Sequence, residues 1–177
     1  MKKKEFQSLY LSNPTNKMFF ENTLKALEEG KIDIKRKIGT NWLLKKGIDG
    51  LITLYLPHKN SIYRYFFDNY IPLPGEYLVS VGGYDDKLVG IHPWIFLTNY
   101  RILQRDGKTK QYYMIPFDKL IEYKTEGGRW NAKLTFKMDD GNIITCEKVE
   151  IWAPEEMLLL LVSEKEWIQY NVRPSQI

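Results

Sequence analysis

The residues of this chain whose types could carry chemistry are few: His58 and His92, the single cysteine Cys146, and the adjacent acid pairs Asp85-Asp86 and Asp139-Asp140. A metal centre needs several His, Cys or carboxylate ligands at short spacings. Each histidine stands beside a proline, in an expected loop, with no such neighbour. A cysteine nucleophile needs a base, and no histidine lies within about 50 residues of Cys146, so it reads as a small core side chain. Adjacent acids on a turn seldom converge on one substrate atom, so both Asp pairs read as solvated turn residues. Gly82-Gly83 and Gly127-Gly128 lack the strand, helix and lysine context of a phosphate cradle, and no Gly-x-Ser-x-Gly occurs. The sequence therefore predicts no enzyme, no metal and no cofactor.

Charge is more informative. The formal net charge is +4, but residues 1–74 hold 13 Lys and Arg against 7 acids, whereas residues 75–177 hold 13 against 15. The excess is densest at Lys35, Arg36 and Lys37, followed by Lys45 and Lys46, with Trp42, Leu43 and Leu44 interleaved. Basic residues among apolar ones suit an anionic lipid surface or a nucleic-acid backbone. They equally suit a solvated polar face with Trp42, Leu43 and Leu44 packed inward, the reading preferred here. Trp130, after Gly127-Gly128-Arg129, is a second possible contact residue, although core packing at the base of a strand is the plainer role.

The elements that must position these residues follow from patterning. With 44% hydrophobic and 14% aromatic residues, the chain has ample material for a core. No apolar run reaches the roughly 18 residues that span a bilayer, and the opening MKKKEFQSLYLSNP has no apolar core of a signal peptide. The expected location is cytoplasmic, and a lone cysteine fits a reducing compartment. The Pro-rich stretch 71–75 marks an expected boundary between a mainly helical segment, 1–74, and a strand-rich domain, 75–177. In the first, Asn13-Pro14-Thr15 starts a helix with Phe20, Leu24 and Leu27 on one face and Gly30 as its C-terminal cap. Further helices are expected around 40–46 and 60–70, while LITLYL, 51–56, is ambiguous between helix and strand.

In the second segment, strands are expected at about 76–82, 93–98, 101–105, 111–115, 119–125, 131–138 and 142–149. The sixth alternates most clearly, with Ala132, Leu134, Phe136 and Met138 on one face and Lys133, Thr135 and Lys137 on the other. Asp139-Asp140-Gly141 and Asp106-Gly107 supply glycine turns. Thr98-Asn99-Tyr100 is a sharp bend, with Asn tolerant of a left-handed conformation. Pro154-Glu155-Glu156 opens a final helix with Met157, Leu158, Leu161 and Val162 on its buried stripe. The fold class is thus α+β, a helical segment followed by a seven-stranded antiparallel barrel that the final helix covers.

From Gly75 to about residue 166 the chain resembles the bacterial pleckstrin-homology-like domains, a superfamily that includes GRAM-type domains. The resemblance is carried by GEYLVSV, FLTNYRILQ, IPFDKLIEY, the DGNIITC hairpin and the closing helix. It implies a bent, partly open barrel serving as a binding or assembly module without catalysis. Some relatives bind phosphoinositides through a basic loop between the first two strands; here the matching GGYDDKLVGIHPW carries Asp85, Asp86 and only Lys87, acids that would repel a phosphate. The function expected is docking of a protein partner or of the chain itself. The alternative is an anionic lipid surface or nucleic acid held by the basic N-terminal segment.

Overall fold

A computed structural model describes residues 3–31, 40–55, 62–86, 90–128 and 131–149 of the chain. It is α+β, and its contacts divide it into two units, Met1–Ser80 and Val81–Ile177.

The first unit is helical. Helix α1 spans Lys3–Leu11, α2 Pro14–Glu28, α3 Thr40–Tyr55 and α4 Ile62–Asn69. The side chain of Asn13 caps α2 by accepting the Thr15 N–H at 2.9 Å. At the other end Gly30 N–H bonds the Leu27 carbonyl at 3.2 Å and Lys31 N–H the Ala26 carbonyl at 2.9 Å, so the paired terminal bonds expected of a glycine stop are present. The buried face of α2 is Asn16, Phe19, Phe20, Thr23, Ala26 and Leu27, whereas Leu24 is only half-buried. Phe19 and Phe20 meet Phe67 of α4 at centroid separations of 5.4 and 5.2 Å, and Tyr10 of α1 meets it edge-on at 6.1 Å. Such pairs add about 0.5–1.5 kcal/mol each beyond the area they bury. Tyr10 also donates to Asp68, and Gln7 to Asp49, which ties α1 to α4 and α3.

Two expectations change here. Helix α1 is an additional element, and the ambiguous LITLYL lies within α3 as far as Tyr55, so its described part is helical. The α3 backbone breaks at Gly47, with φ 60° and ψ −146°, a conformation essentially restricted to glycine. The chain then leaves α4 through a turn closed by Glu76, whose buried carboxylate accepts the Leu73 N–H at 2.8 Å. Thr23 of α2 receives Leu78 N–H on its hydroxyl at 3.0 Å and donates to the Phe19 carbonyl at 2.8 Å, fixing the start of the first strand on the helix.

The second unit contains two antiparallel sheets. Strands β1 Leu78–Asp86, β2 Gly90–Thr98, β3 Arg101–Arg105 and β4 Tyr112–Pro116 form one in sequence order; β5 Leu120–Glu126, β6 Ala132–Met138 and β7 Ile143–Val149 form the other. β1 begins in the first unit and runs into the second. The alternation read in β6 is reproduced in burial: Ala132, Leu134, Phe136 and Met138 are buried, and Lys133 and Lys137 exposed. Phe96, Ile102, Leu103, Ile115, Phe117, Leu134, Phe136 and Cys146 are wholly inaccessible and make up the core of this unit.

Among the described residues the two sheets do not close into a barrel. The expected barrel is in this respect corrected to two ladders, and the final helix at 153–166 lies outside the described residues. The ladders are nonetheless joined. Gly107, in the turn between β3 and β4, donates its N–H to the Glu147 carbonyl of β7 at 2.8 Å, and Glu147 returns its N–H to the Asp106 carboxylate at 2.6 Å.

Three turn readings are refined. Gly141 does take φ 85° in the hairpin loop between β6 and β7. Gly107 is required for a different reason: a Cβ there would stand 1.8 Å from the Lys148 carbonyl oxygen. At the bend between β2 and β3, Asn99 is not left-handed; positive φ among described non-glycine residues occurs at Lys110 and Lys148. Thr98 makes that bend instead, its buried hydroxyl accepting the N–H groups of Tyr100 and Arg101, each at 3.1 Å, and lying 3.3 Å from the Arg101 carbonyl as donor. His92, Asp85 and Asp86, read as loop residues, lie in β2 and β1, and only 87–89 intervene between those strands outside the described residues.

Candidate functional site

Strand pairing assembles a polar surface on the outward face of the β5–β6–β7 sheet. The register sets Glu122 beside Lys137, Lys124 beside Thr135 and Glu126 beside Lys133, and on the other side Lys137 beside Ile143 and Thr135 beside Thr145. Because side chains alternate across a strand, every one of these projects away from the buried row Leu134, Phe136 and Cys146. The result is a shallow depression of about 250 Å³ lined by Glu122, Lys124, Thr135, Lys137 and Ile143.

Its electrostatics are set by close pairs. Lys124 Nζ lies 2.8 Å from Glu122 Oε1; that hydrogen bond, with the attraction of opposite charge, holds the Glu122 carboxyl below its ordinary range and the Lys124 ammonium above its own. Lys133 and Glu126 face each other at 3.7 Å, and Lys108 reaches Glu147 at 2.7 Å. The chemistry on offer is ammonium and hydroxyl donors, carboxylate acceptors and one aliphatic contact. Ile143 is 64% exposed, an apolar side chain in a row that is otherwise charged or hydroxylic. These groups suit recognition of a polar, extended surface.

Beneath this face the sheet is apolar. Tyr123 stacks on Phe136 with ring centroids 5.2 Å apart, and its buried hydroxyl has no hydrogen-bond partner among the described residues. Burial raises its pKa above the ordinary phenol value. Cys146 is completely inaccessible, and burial, reinforced by the nearby Asp106 charge, pushes its thiol up to about 12. That environment disfavours the thiolate a nucleophile or metal ligand requires.

The residues singled out by sequence lie elsewhere. Lys45 and Lys46 are exposed on α3, directly before the Gly47 break, and Leu44 beside them is 38% exposed. Trp42 belongs to the same helix. Lys35, Arg36, Lys37, Trp130 and His58 lie outside the described residues. The depression on the second sheet was not anticipated, since Lys133, Thr135 and Lys137 read as an ordinary solvated row. Its one sequence signal is Ile143, which sits beside Ile144 in a strand of period two and so cannot share the buried face with it.

The chain matches no family model, no curated protein and no solved structure in the comparisons made. Among the described residues no group of His, Cys, Asp and Glu is arranged to hold a metal ion, and no helix is long and apolar enough to cross a membrane.

Proposed function

We propose that this chain is a non-enzymatic binding module, of pleckstrin-homology-like type, that docks a protein partner or a second copy of itself in the cytoplasm. The observation that carries the reading is Ile143, 64% exposed on the rim of a depression furnished with Lys124, Lys137, Glu122 and Thr135. An exposed aliphatic side chain beside mixed charge offers an apolar contact next to polar groups that select a partner. The order of a four-stranded followed by a three-stranded antiparallel sheet supports the pleckstrin-homology-like part.

The test compares the intact chain with Ile143→Asp and Lys137→Glu variants as bait in extract of the source organism. A partner retained in near-stoichiometric amount by the unaltered chain and lost with both variants is the expected result. Identical retention by all three would remove the depression from the docking surface.

A second reading is favoured by the exposure of Leu44, Lys45 and Lys46 together. An apolar side chain flanked by ammonium groups suits an anionic surface, each lysine contributing about 1 kcal/mol near lipid phosphates. On this reading Lys35, Arg36, Lys37, Lys45 and Lys46 hold anionic lipid or nucleic acid. Changing all five to Ala should abolish co-sedimentation with anionic vesicles or a shift of duplex DNA, while Lys87→Ala changes little. Affinity should also fall steeply with salt. Binding unaffected by the five-fold change would refute it.

A further inference from the structure

One lysine of the β5–β6–β7 face carries an inference that rests on reading this surface as a docking site and names what the site takes from its partner. Lysines 108, 124, 133 and 137 furnish the face and its border, and the first three are matched. Lys108 meets Glu147 at 2.7 Å, Lys124 meets Glu122 at 2.8 Å and Lys133 meets Glu126 at 3.7 Å. Lys137, exposed on β6, has no carboxylate in ion-pair contact among the described residues. Glu122 is its neighbour in the register, yet the Glu122 Oε1 turns along its own strand to Lys124, and Lys137 acts on that carboxyl only as a lesser, more distant attraction. An uncompensated ammonium therefore stands in the depression, with Ile143 beside it on β7 and Thr135 two residues along β6. The Thr135 hydroxyl makes no hydrogen bond among the described residues.

We infer that the depression takes a carboxylate side chain of a partner protein, paired to Lys137 and hydrogen-bonded by Thr135, with an aliphatic side chain of the same partner segment against Ile143. Charge decides the class of ligand. The lysines at 108, 124, 133 and 137 and the glutamates at 122, 126 and 147 leave a single positive charge over, which one carboxylate cancels. A phosphomonoester, with close to two negative charges, would leave its excess facing Glu122. A nucleic-acid backbone or an anionic lipid surface presents many charges and is held by several free cations, whereas this surface offers Lys137. The apolar contact points the same way. Directly paired residues on neighbouring strands have Cβ atoms about 5 Å apart, so one short peptide segment bearing an acid and an aliphatic side chain meets Lys137 and Ile143 together.

The probe is a phage-displayed library of random dodecapeptides selected on the intact chain. Bound peptides should be enriched in Asp or Glu close to an aliphatic residue. For the strongest of them, made synthetically, replacing the acid by its amide should weaken binding to the parent about fivefold, the upper range for an exposed charge pair. The same replacement should make no difference to Lys137→Met, which keeps the apolar stem and removes the charge. Lys137→Glu should turn the selection toward Lys and Arg, and Glu122→Gln, which releases Lys124 as a second free ammonium, should enlarge the penalty for the amide. All these side chains are on the surface, so each variant should keep the parent's unfolding midpoint. A selection that enriches no peptide, or an acid preference that survives Lys137→Met, would overturn the inference. So would phosphatidylserine vesicles that compete with the peptides and lose their binding in Lys137→Met, which would give the site to a membrane. Peptides or a captured protein that depend on Ile143, tested as Ile143→Ser, yet ignore Lys137→Met would sink the carboxylate and leave the docking reading standing; indifference to both changes would remove the two together.

Discussion

The carboxylate of Asp106 accepts the backbone N–H of Glu147 at 2.6 Å, across 41 residues of sequence and between two sheets that share no ladder. The same carboxylate takes the N–H of Lys108 at 2.9 Å, the N–H of Thr109 and the Thr109 hydroxyl at 2.8 Å. One buried side chain thereby folds its own turn and fastens it to β7. Charge-assisted bonds of this kind are about twice as strong as neutral ones.

Replacing Asp106 with Ala should therefore cost about 3 kcal/mol, because the N–H groups it serves are left without an acceptor. Asp106→Asn, which keeps one carbonyl oxygen, should cost less. The midpoint of denaturant unfolding measures both. An Ala variant as stable as the parent would show that the turn does not need this anchor.

Acid should act at the same point. Burial works to raise the Asp106 pKa, but the hydrogen bonds from Thr109, Glu147 and Lys108 outweigh it and hold the folded value below the ordinary 3.8. A depressed folded pKa means stability fully present above the ordinary value and lost as pH falls through the lower, folded one. Unfolding free energy of the parent should fall more steeply below about pH 4 than that of Asp106→Asn. Parallel acid limbs in the two proteins would contradict the assignment.

Gly107→Ala and Gly141→Ala should separate two reasons for a glycine. At 107 the added carbon would stand 1.8 Å from the Lys148 oxygen and 2.5 Å from its carbonyl carbon, atoms of a backbone that cannot swing aside. The turn must leave β7, at about 3 kcal/mol or more. At 141 the space is open and the cost is that of a left-handed φ alone, about 1 kcal/mol. Melting temperatures in the reverse order would be fatal to this account.

Thr98→Val keeps shape and removes the hydroxyl that two N–H groups donate to. The expected cost is about 1–3 kcal/mol, and Asn99→Gly should change stability by much less. A Val variant without effect, judged by the same denaturation midpoint, would return the bend to Asn99.

Cys146 should be inert in the folded protein. With no accessible surface and a thiol pushed up to about 12, it should resist an aromatic disulfide reagent until the chain is unfolded, and then react once. Rapid labelling under native conditions would place the thiol at the surface.

What was legible in the sequence was whatever depends on neighbours in the chain. The Asn13 cap, the Gly30 stop, the alternation from Ala132 to Met138 and the loop at Gly141 each follow from a few consecutive residues. The helix expected at 40–46 stops just short of the break at Gly47, but its resumption to Tyr55 was not legible, because LITLYL is too short an apolar run to decide between helix and strand. Asp106 read as a turn former, since its bond to Glu147 depends on how two distant strands meet. The candidate surface was hidden for a similar reason. Lys124, Lys137 and Ile143 come from three strands, and only the register brings them side by side.

The break at Gly47 makes the two ends of α3 separately steerable. Leu51, with 1% of its surface accessible, anchors the C-terminal part, while the exposed Lys45 and Lys46 ride on the other side of a single residue with φ 60° and ψ −146°. Aim and anchorage are thus assigned to different torsions. A change confined to the two dihedrals of one glycine would re-point the ammonium groups without disturbing the core beneath Leu51.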